Sequence, residues 1–283
     1  MTNQYKLHLL HTGKVRIEPE LAFGGDHASL AKASGFSLKR SPKIWLPVSV
    51  FLIESPHGLL LLDTGWSRSM SPKGEFDKKA QIKSLGSRIL YHVNQGVVPY
   101  GETASEQLAQ KGIQPKDIQA VIISHLDCDH DNGLEQFKNA KRVLVSEEEY
   151  EYALKHRIRF YKKWWSDLKN LDLYQWNDTE GPFKQSYDVF GDKTVKLINI
   201  PGHTAGQVAT KITNPETGKF ILYVGDGGYG EKSWKKMITS GISMNKDWQK
   251  RSLEWIRKQS HDPNCKGVFA CHDANLEPMT IEF

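Results

Sequence analysis

Residues 121–133 read Val-Ile-Ile-Ser-His-Leu-Asp-Cys-Asp-His-Asp-Asn-Gly. A short β-branched run ends in four side chains able to ligate a metal: His125, Asp127, Asp129 and His130. The turn signal Asn132-Gly133 follows directly. A strand that delivers such residues has to hold them at the end of a sheet. Side chains two apart in extended backbone share a face, so residues 125, 127 and 129 are expected to converge, with His130 swinging in from a loop. Imidazole and carboxylate together suit zinc, iron or manganese.

Three further strand ends carry the same kinds of group. Pro201-Gly202-His203-Thr204 follows a strand-like stretch at 195–200, and Gly225-Asp226-Gly227-Gly228 follows one at 220–224. The stretch at 267–270 runs into Cys271 and His272. Singly, a histidine at a strand end is an ordinary surface or capping residue, and an aspartate before glycines is an ordinary turn former. Together they repeat one arrangement, ligands on loops held by rigid strands.

Other strand-like stretches are 48–53, 59–62, 120–123, 142–145 and 208–212, with hairpin turns expected at 55–58 and 214–218. Helical patterning occupies 102–111, 147–155 and 248–259. Strands come in clusters with helices between, which favours an α/β sandwich with mixed sheets over a doubly wound parallel sheet. No internal repeat, low-complexity tract or linker interrupts the chain, so residues 1–283 are expected to form one domain. Tyr152, Phe160, Tyr161, Trp164, Trp165, Tyr174 and Trp176 form a dense aromatic segment. It is read first as a helix covering the edge of the core and second as the wall of an apolar pocket.

Charged residues make up 25% of the chain and hydrophobic residues 39%, ordinary for a globular protein. No apolar run approaches the roughly 20 residues of a membrane span, so no membrane partner is expected. The opening Met-Thr-Asn-Gln-Tyr-Lys-Leu-His lacks the basic and apolar regions of an export signal. Cys128, Cys265 and Cys271 are too few and wrongly spaced for a disulfide framework or a zinc ribbon, so a cytoplasmic location is expected. The net charge of +5 is partly local, as in Lys155-His156-Arg157-Ile158-Arg159 and Lys162-Lys163. Such a stretch serves a basic surface or an anion-attracting mouth as readily as a nucleic-acid reader, and no nucleic acid is expected.

With these residues in order, the chain resembles the metallo-β-lactamase superfamily, and within it the N-acyl-homoserine lactonase branch. The superfamily's His-x-His-x-Asp-His motif stands here as His125-Leu126-Asp127-Cys128-Asp129-His130. His203, Asp226 and His272 match its later histidine, bridging aspartate and last histidine, and Leu62-Asp63-Thr64-Gly65 matches its early strand-turn motif. Tyr229 stands three residues after the bridging aspartate, as in the lactonases. The resemblance runs from residue 62 to residue 272 and implies a four-layer αββα sandwich with two mixed sheets. It implies His125, Asp127 and His203 on one metal, Asp129, His130 and His272 on a second, and Asp226 between them. It further implies a metal-dependent hydrolase in which a hydroxide shared by the two ions opens a lactone such as an N-acyl-homoserine lactone. Tyr229 would donate to the oxyanion and Asp129 would carry the proton to the leaving alkoxide.

One position departs from the pattern. Asp127 replaces the usual histidine, and a shorter, anionic, harder ligand turns the expectation from zinc alone toward iron or manganese as well. The flavo-diiron branch uses a carboxylate there, but the chain is too short for that branch's flavodoxin domain and shows no phosphate-cradling loop. Two divalent ions, zinc first, are therefore expected, with a small lactone or other ester as substrate and room for a homodimer. A thioesterase, esterase or phosphodiesterase on the same fold is the nearest rival, and a di-iron redox protein a more distant one. Cys128 and Cys271 are read as packing. Phe23, Trp45 and Phe51, with the aromatic segment after Tyr152, are read as a wall for an acyl chain.

Overall fold

The computed structural model describes residues 5–38 and 41–283. Residues 1–4, the start of the opening stretch in which no export signal is expected, lie outside the described residues. Thirteen strands are described: β1 Lys6–Ile17, β2 Ile44–Ser55, β3 Gly58–Leu62, β4 Gln95–Val97, β5 Ile118–Ile122, β6 Val143–Ser146, β7 Leu171–Tyr174, β8 Ser186–Asp188, β9 Val195–Asn199, β10 Val208–Thr213, β11 Phe220–Tyr223, β12 Cys265–Phe269 and β13 Thr280–Glu282. They form two sheets. The first runs β13-β1-β2-β3-β5-β6-β7, with β4 also on β1, and the second runs β12-β11-β10-β9-β8. Both are mixed. In the first, β3, β5, β6 and β7 are parallel while β1 to β3 form an antiparallel meander. In the second, only β11 and β12 are parallel.

The core lies between the sheets. Phe51 of β2 packs its ring 4.7 Å from Tyr223 of β11 and 5.7 Å from Phe269 of β12. Alternation then sends every second residue of the second sheet outward. Leu222, Val224, Ala209 and Ala270 meet Leu253 and Ile256 of the helix Lys246–Ser260 in a separate apolar layer. The helices Lys78–Leu85, Ala104–Gln110 and Glu147–Lys155 bury Leu85, Leu108 and Ala153 in the main core. Each starts on a side-chain cap, Asp77, Thr103 and Ser146, and Thr103 with Glu106 completes a reciprocal capping box. This is the expected αββα arrangement.

β1 went unread in the sequence. Its alternation breaks at Leu9-Leu10 and again at Gly13, where its pairing with β2 shifts register. Gly13 has φ +82°, and a Cβ there would overlap the carbonyl of Val97 on β4, so the bulge requires glycine. The helical reading of the aromatic segment holds only to Lys155. Beyond it come turns, a short 3-10 turn at Lys162–Trp164 and strand β7. Trp164, Trp165 and Tyr174 do cover the core, but from the 3-10 turn, the residue after it and the end of β7 rather than from a helix. No helix among the described residues is long and apolar enough to cross a membrane.

Strand direction sets up the site. Leu62 of β3 pairs with Ile122 of β5 in parallel, so Asp63 and the Ser124-His125 stretch leave the first sheet side by side. Tyr223 of β11 pairs with Phe269 of β12 in parallel, so Asp226 and His272, each three residues further on, leave the second sheet together. β9 is antiparallel to β10, which is antiparallel to β11, and its end releases His203 at that same edge.

Candidate metal centre

The chain does not stay extended through its ligand motif. It turns into a single helical turn, Cys128–Asp131, with Asp127 at the N-cap position and its carbonyl accepting from the His130 N–H at 2.9 Å. The expectation that residues 125, 127 and 129 share the face of a strand is therefore corrected. His125 and Asp127 come from extended chain, Asp129 and His130 from the helical turn. Acidic residues suit that first turn, where free N–H groups point outward. The side chains converge all the same.

Four imidazoles are each gripped at Nδ1, leaving Nε2 to face the centre. His130 Nδ1 donates to Asp63 Oδ2 at 2.7 Å, and His272 Nδ1 donates to the Pro47 carbonyl at 2.8 Å. His125 Nδ1 meets Ser124 Oγ at 3.0 Å, and His203 Nδ1 meets Ser240 Oγ at 3.1 Å. Asp63 itself sits at φ +58°, a left-handed conformation that aspartate tolerates better than most residues. Its carboxylate also accepts from Ser124 N and Oγ, both at 2.7 Å, and from Tyr223 Oη at 2.5 Å. Burial opposes that charge, but His130, His125 and the Tyr223 hydroxyl together outweigh it, so the Asp63 carboxyl lies below its ordinary range.

The donor atoms fall into two sets that share Asp226. On one side His130 Nε2 is 3.4 Å and His272 Nε2 3.3 Å from Asp226 Oδ1, and His272 Nε2 is 3.2 Å from Asp129 Oδ2. On the other, Asp127 Oδ2 lies 3.3 Å from His125 Nε2 and 2.9 Å from His203 Nε2, while Asp226 Oδ2 lies 4.0 and 3.8 Å from those nitrogens. Tetrahedral ligands about 2.0–2.1 Å from one ion stand about 3.3–3.4 Å apart, which the first set meets closely and the second more loosely. His125 Nε2, His130 Nε2 and Asp226 Oδ1 are fully buried without a hydrogen-bond partner. Buried lone pairs aimed at one another in this way fit a cation. All seven residues read from the sequence, His125, Asp127, Asp129, His130, His203, Asp226 and His272, are thus brought together. The Cys271 sulfur also lies within 4.8 Å of the donor atoms of His130, Asp226 and His272, while Cys128 packs in the core.

The electrostatics divide the imidazoles: burial opposes the charge of His130 and His272, yet the acidic groups around them, Cys271 and Asp226 first, push both well up, whereas His125 moves the other way. Burial and His130 both push His125 down, keeping it neutral. Burial opposes the charge of Asp226, but His272 and His130 hold its carboxyl well below the usual range. Tyr229 is buried, stacked on His272 at 5.1 Å and edge-on to His203 at 5.9 Å. Burial, with Asp226, Asp129 and Asp127 nearby, pushes its phenol well up, so it stays a protonated donor.

Three braces were not legible in the sequence. Glu149 is buried and ties the two motif loops together, accepting from Leu126 N at 3.1 Å and Gly206 N at 3.0 Å. Ser240 holds His203. Arg159 donates to Asp127 twice, Nε to Oδ1 at 2.7 Å and Nη2 to Oδ2 at 2.6 Å. Arg159 also reaches the His203 carbonyl at 3.2 Å and His203 Nε2 at 2.9 Å. Burial opposes the Asp127 charge, yet Arg159 holds that carboxyl well below its usual range. The one available signal was the basic stretch 155–159, which gave no partner for any member.

Asp127, Asp129, His203, Tyr229 and His272 floor a cavity of about 520 Å³. Its walls include Leu21, Leu30, Phe36, Leu90, Ile158 and Ile242, and Lys155, Arg157 and Arg159 also line it. The basic stretch is therefore part of the cavity wall. The expected aromatic wall is corrected: Phe51 lies in the core between the sheets, Trp45 packs against Phe76 outside the cavity, and Phe23 stands behind Tyr229 in a neighbouring hollow. From the aromatic segment Tyr152 lines the cavity, whereas Trp164 and Trp165 do not.

Fold and donor set define a metal-dependent hydrolase scaffold of two sheets with its centre at the strand ends. Residues 44–238 match the family model of the metallo-beta-lactamase superfamily, and the chain belongs to that superfamily. An N-acyl homoserine lactonase, AttM of Azorhizobium caulinodans, is 26% identical over 241 residues, covering 82% of this chain and 84% of the relative. A probable metallo-hydrolase of Mycobacterium tuberculosis is 25% identical over 249 residues, covering 80% and 74%. A solved N-acyl homoserine lactone hydrolase, with N-hexanoyl-L-homoserine bound at its catalytic metal centre, superposes with a TM-score of 0.73 at 21% identity over 95% of this chain and 93% of its own.

Proposed function

We propose that the protein is a metal-dependent hydrolase that opens a lactone ring, such as that of an N-acyl-homoserine lactone. The observation that carries this reading is the convergence of four imidazole Nε2 atoms and both oxygens of Asp226 beneath an apolar cavity. The lactonase relatives supply the substrate class. On this reading His125, Asp127 and His203 would hold one divalent ion and Asp129, His130 and His272 a second, with Asp226 serving both. Zinc suits the four imidazoles, and Asp127 adds a hard ligand that admits iron or manganese. When bound, the ions lower the pKa of water and polarise a carbonyl.

The chain's own residues supply the rest. Tyr229, kept protonated, donates a hydrogen bond to the oxygen that gains charge as the ester carbonyl is attacked. Asp129 stands at the cavity floor and moves the proton to the departing ring alkoxide. The aliphatic walls take an acyl chain. A phosphodiesterase would need free cationic donors in the cleft; those of Arg159 are engaged by Asp127 and the His203 carbonyl, but Lys155 and Arg157 also line the cavity, so a phosphodiester belongs in the test. The test is proton release from short- and long-chain acyl-homoserine lactones, a thioester and a phosphodiester, using protein of measured metal content. Lactone opening by wild type, lost in Asp226→Ala, is the expected result. Thioester or phosphodiester cleavage without lactone opening overturns the substrate class.

A further inference from the structure

We infer that Asp127 and Arg159 work as one neutral composite ligand, in which the guanidinium cancels the added carboxylate charge and fixes which oxygen faces the centre. The inference rests on the two-metal reading above and adds a role for a residue outside the motifs.

Charge counting comes first. Three carboxylates reach the centre, Asp127, Asp129 and Asp226, giving −3, and the guanidinium beside Asp127 brings this to −2. A neutral histidine at position 127, the superfamily pattern, would also leave −2. Arg159 therefore restores the charge that the aspartate disturbs. An ion facing −2 is a stronger electrophile than one facing −3, since each added anion lowers its pull on a carbonyl oxygen.

Lone-pair counting comes second. A carboxylate offers about four acceptor positions, and Arg159 takes one on each oxygen. Oδ2, at 3.3 Å from His125 Nε2 and 2.9 Å from His203 Nε2, keeps a position directed at the donor set. His203 Nε2 lies 2.9 Å from both Arg159 Nη2 and Asp127 Oδ2, and with its proton on Nδ1 it has a single lone pair. It serves the arginine or an ion, not both, whereas Asp127 serves both at once. Arg159 is itself anchored away from the centre by the His203 carbonyl and by Phe160, whose ring lies 5.1 Å from the guanidinium carbon. Planar, two-pronged contact of this kind is specific to arginine. Arg159 is a positioning residue.

A double-mutant cycle on the full chain tests the pair, reading Zn²⁺ equivalents after stripping and reloading, with a melting curve to confirm folding. Wild type is expected to bind two equivalents. Asp127→His leaves the guanidinium uncompensated against the donor set, and should fall to about one equivalent. Arg159→Gln should retain two equivalents but lose about tenfold or more in kcat on a lactone, with KM changed less. The double variant Asp127→His/Arg159→Gln should regain two equivalents and recover kcat to within about tenfold of wild type. Arg159→Lys, which keeps the charge without the fork, should fall between wild type and Arg159→Gln. If Asp127→His alone binds two equivalents, or the folded double variant recovers neither metal nor kcat, the pair is not a unit. A wild type that binds fewer than two equivalents instead overturns the two-metal reading, and the pair's role with it. Two equivalents without lactone opening overturn the substrate alone, and metal content still reads the pair.

Discussion

The Asp129–His130–His272 side and the His125–Asp127–His203 side of the centre share Asp226 but are braced differently. The first is held by groups that leave adjacent parallel strands: Asp63 beside Ser124, with Tyr223 and the Pro47 carbonyl behind. Its ligand spacings lie between 3.2 and 3.4 Å. The second shares Ser124, which meets His125 Nδ1, but its Asp127 and His203 are held by Arg159 and Ser240, which approach from loops, and its spacings spread from 2.9 to 4.0 Å. Sheet pairing fixes where a strand ends to within a fraction of a residue, whereas a loop residue is fixed only by the contacts it makes. The first side is thus built by the fold, whereas on the second only His125 is, and Asp127 and His203 depend on side chains that can change without disturbing it.

Removing the shared residue should do the most damage. Asp226→Ala is expected to lower kcat/KM by on the order of 10³ and to reduce bound Zn²⁺ to one equivalent or fewer, read by elemental analysis of the reloaded protein. Next, the braces can be set against each other. Asp63→Asn should weaken metal binding roughly 10–100-fold in a chelator competition, while Ser240→Ala, which removes one neutral contact, should cost only about threefold to tenfold. Equal losses would break the contrast between the two sides.

Tyr229→Phe keeps the ring stacked on His272 and removes only the hydroxyl. About a hundredfold loss in kcat with little change in KM or metal content is expected from steady-state kinetics. A smaller effect belongs to the cavity wall. Phe36→Ala should raise KM for a decanoyl lactone about fivefold to tenfold while leaving a butanoyl lactone nearly unaffected.

The same contrast explains what could be read from the sequence. His203, Asp226 and His272 were legible because each follows a short apolar run, marked for the first two by a glycine or proline at the turn, and such runs announce strands. The ligand motif was legible as composition but misjudged in shape. Asp127 stands at the N-cap position of a helical turn that is only four residues long, too short to show any periodicity. β1 was hidden because a bulge interrupts its alternation at Gly13. Arg159 was invisible as a partner: its carboxylate lies 32 residues earlier, and the irregular chain after Lys155 carries no repeating pattern from which to infer direction. Phe51, read as a cavity residue, shows the opposite failure, since apolar character alone does not say which side of a sheet a residue faces.

The most direct test of the account couples metal content to turnover in one preparation. Chelator-treated protein is titrated with Zn²⁺ while proton release from an N-acyl-homoserine lactone is followed. The account predicts no turnover without metal and full recovery as binding reaches two equivalents per chain. Turnover that saturates at one equivalent, or persists in the stripped protein, would contradict it.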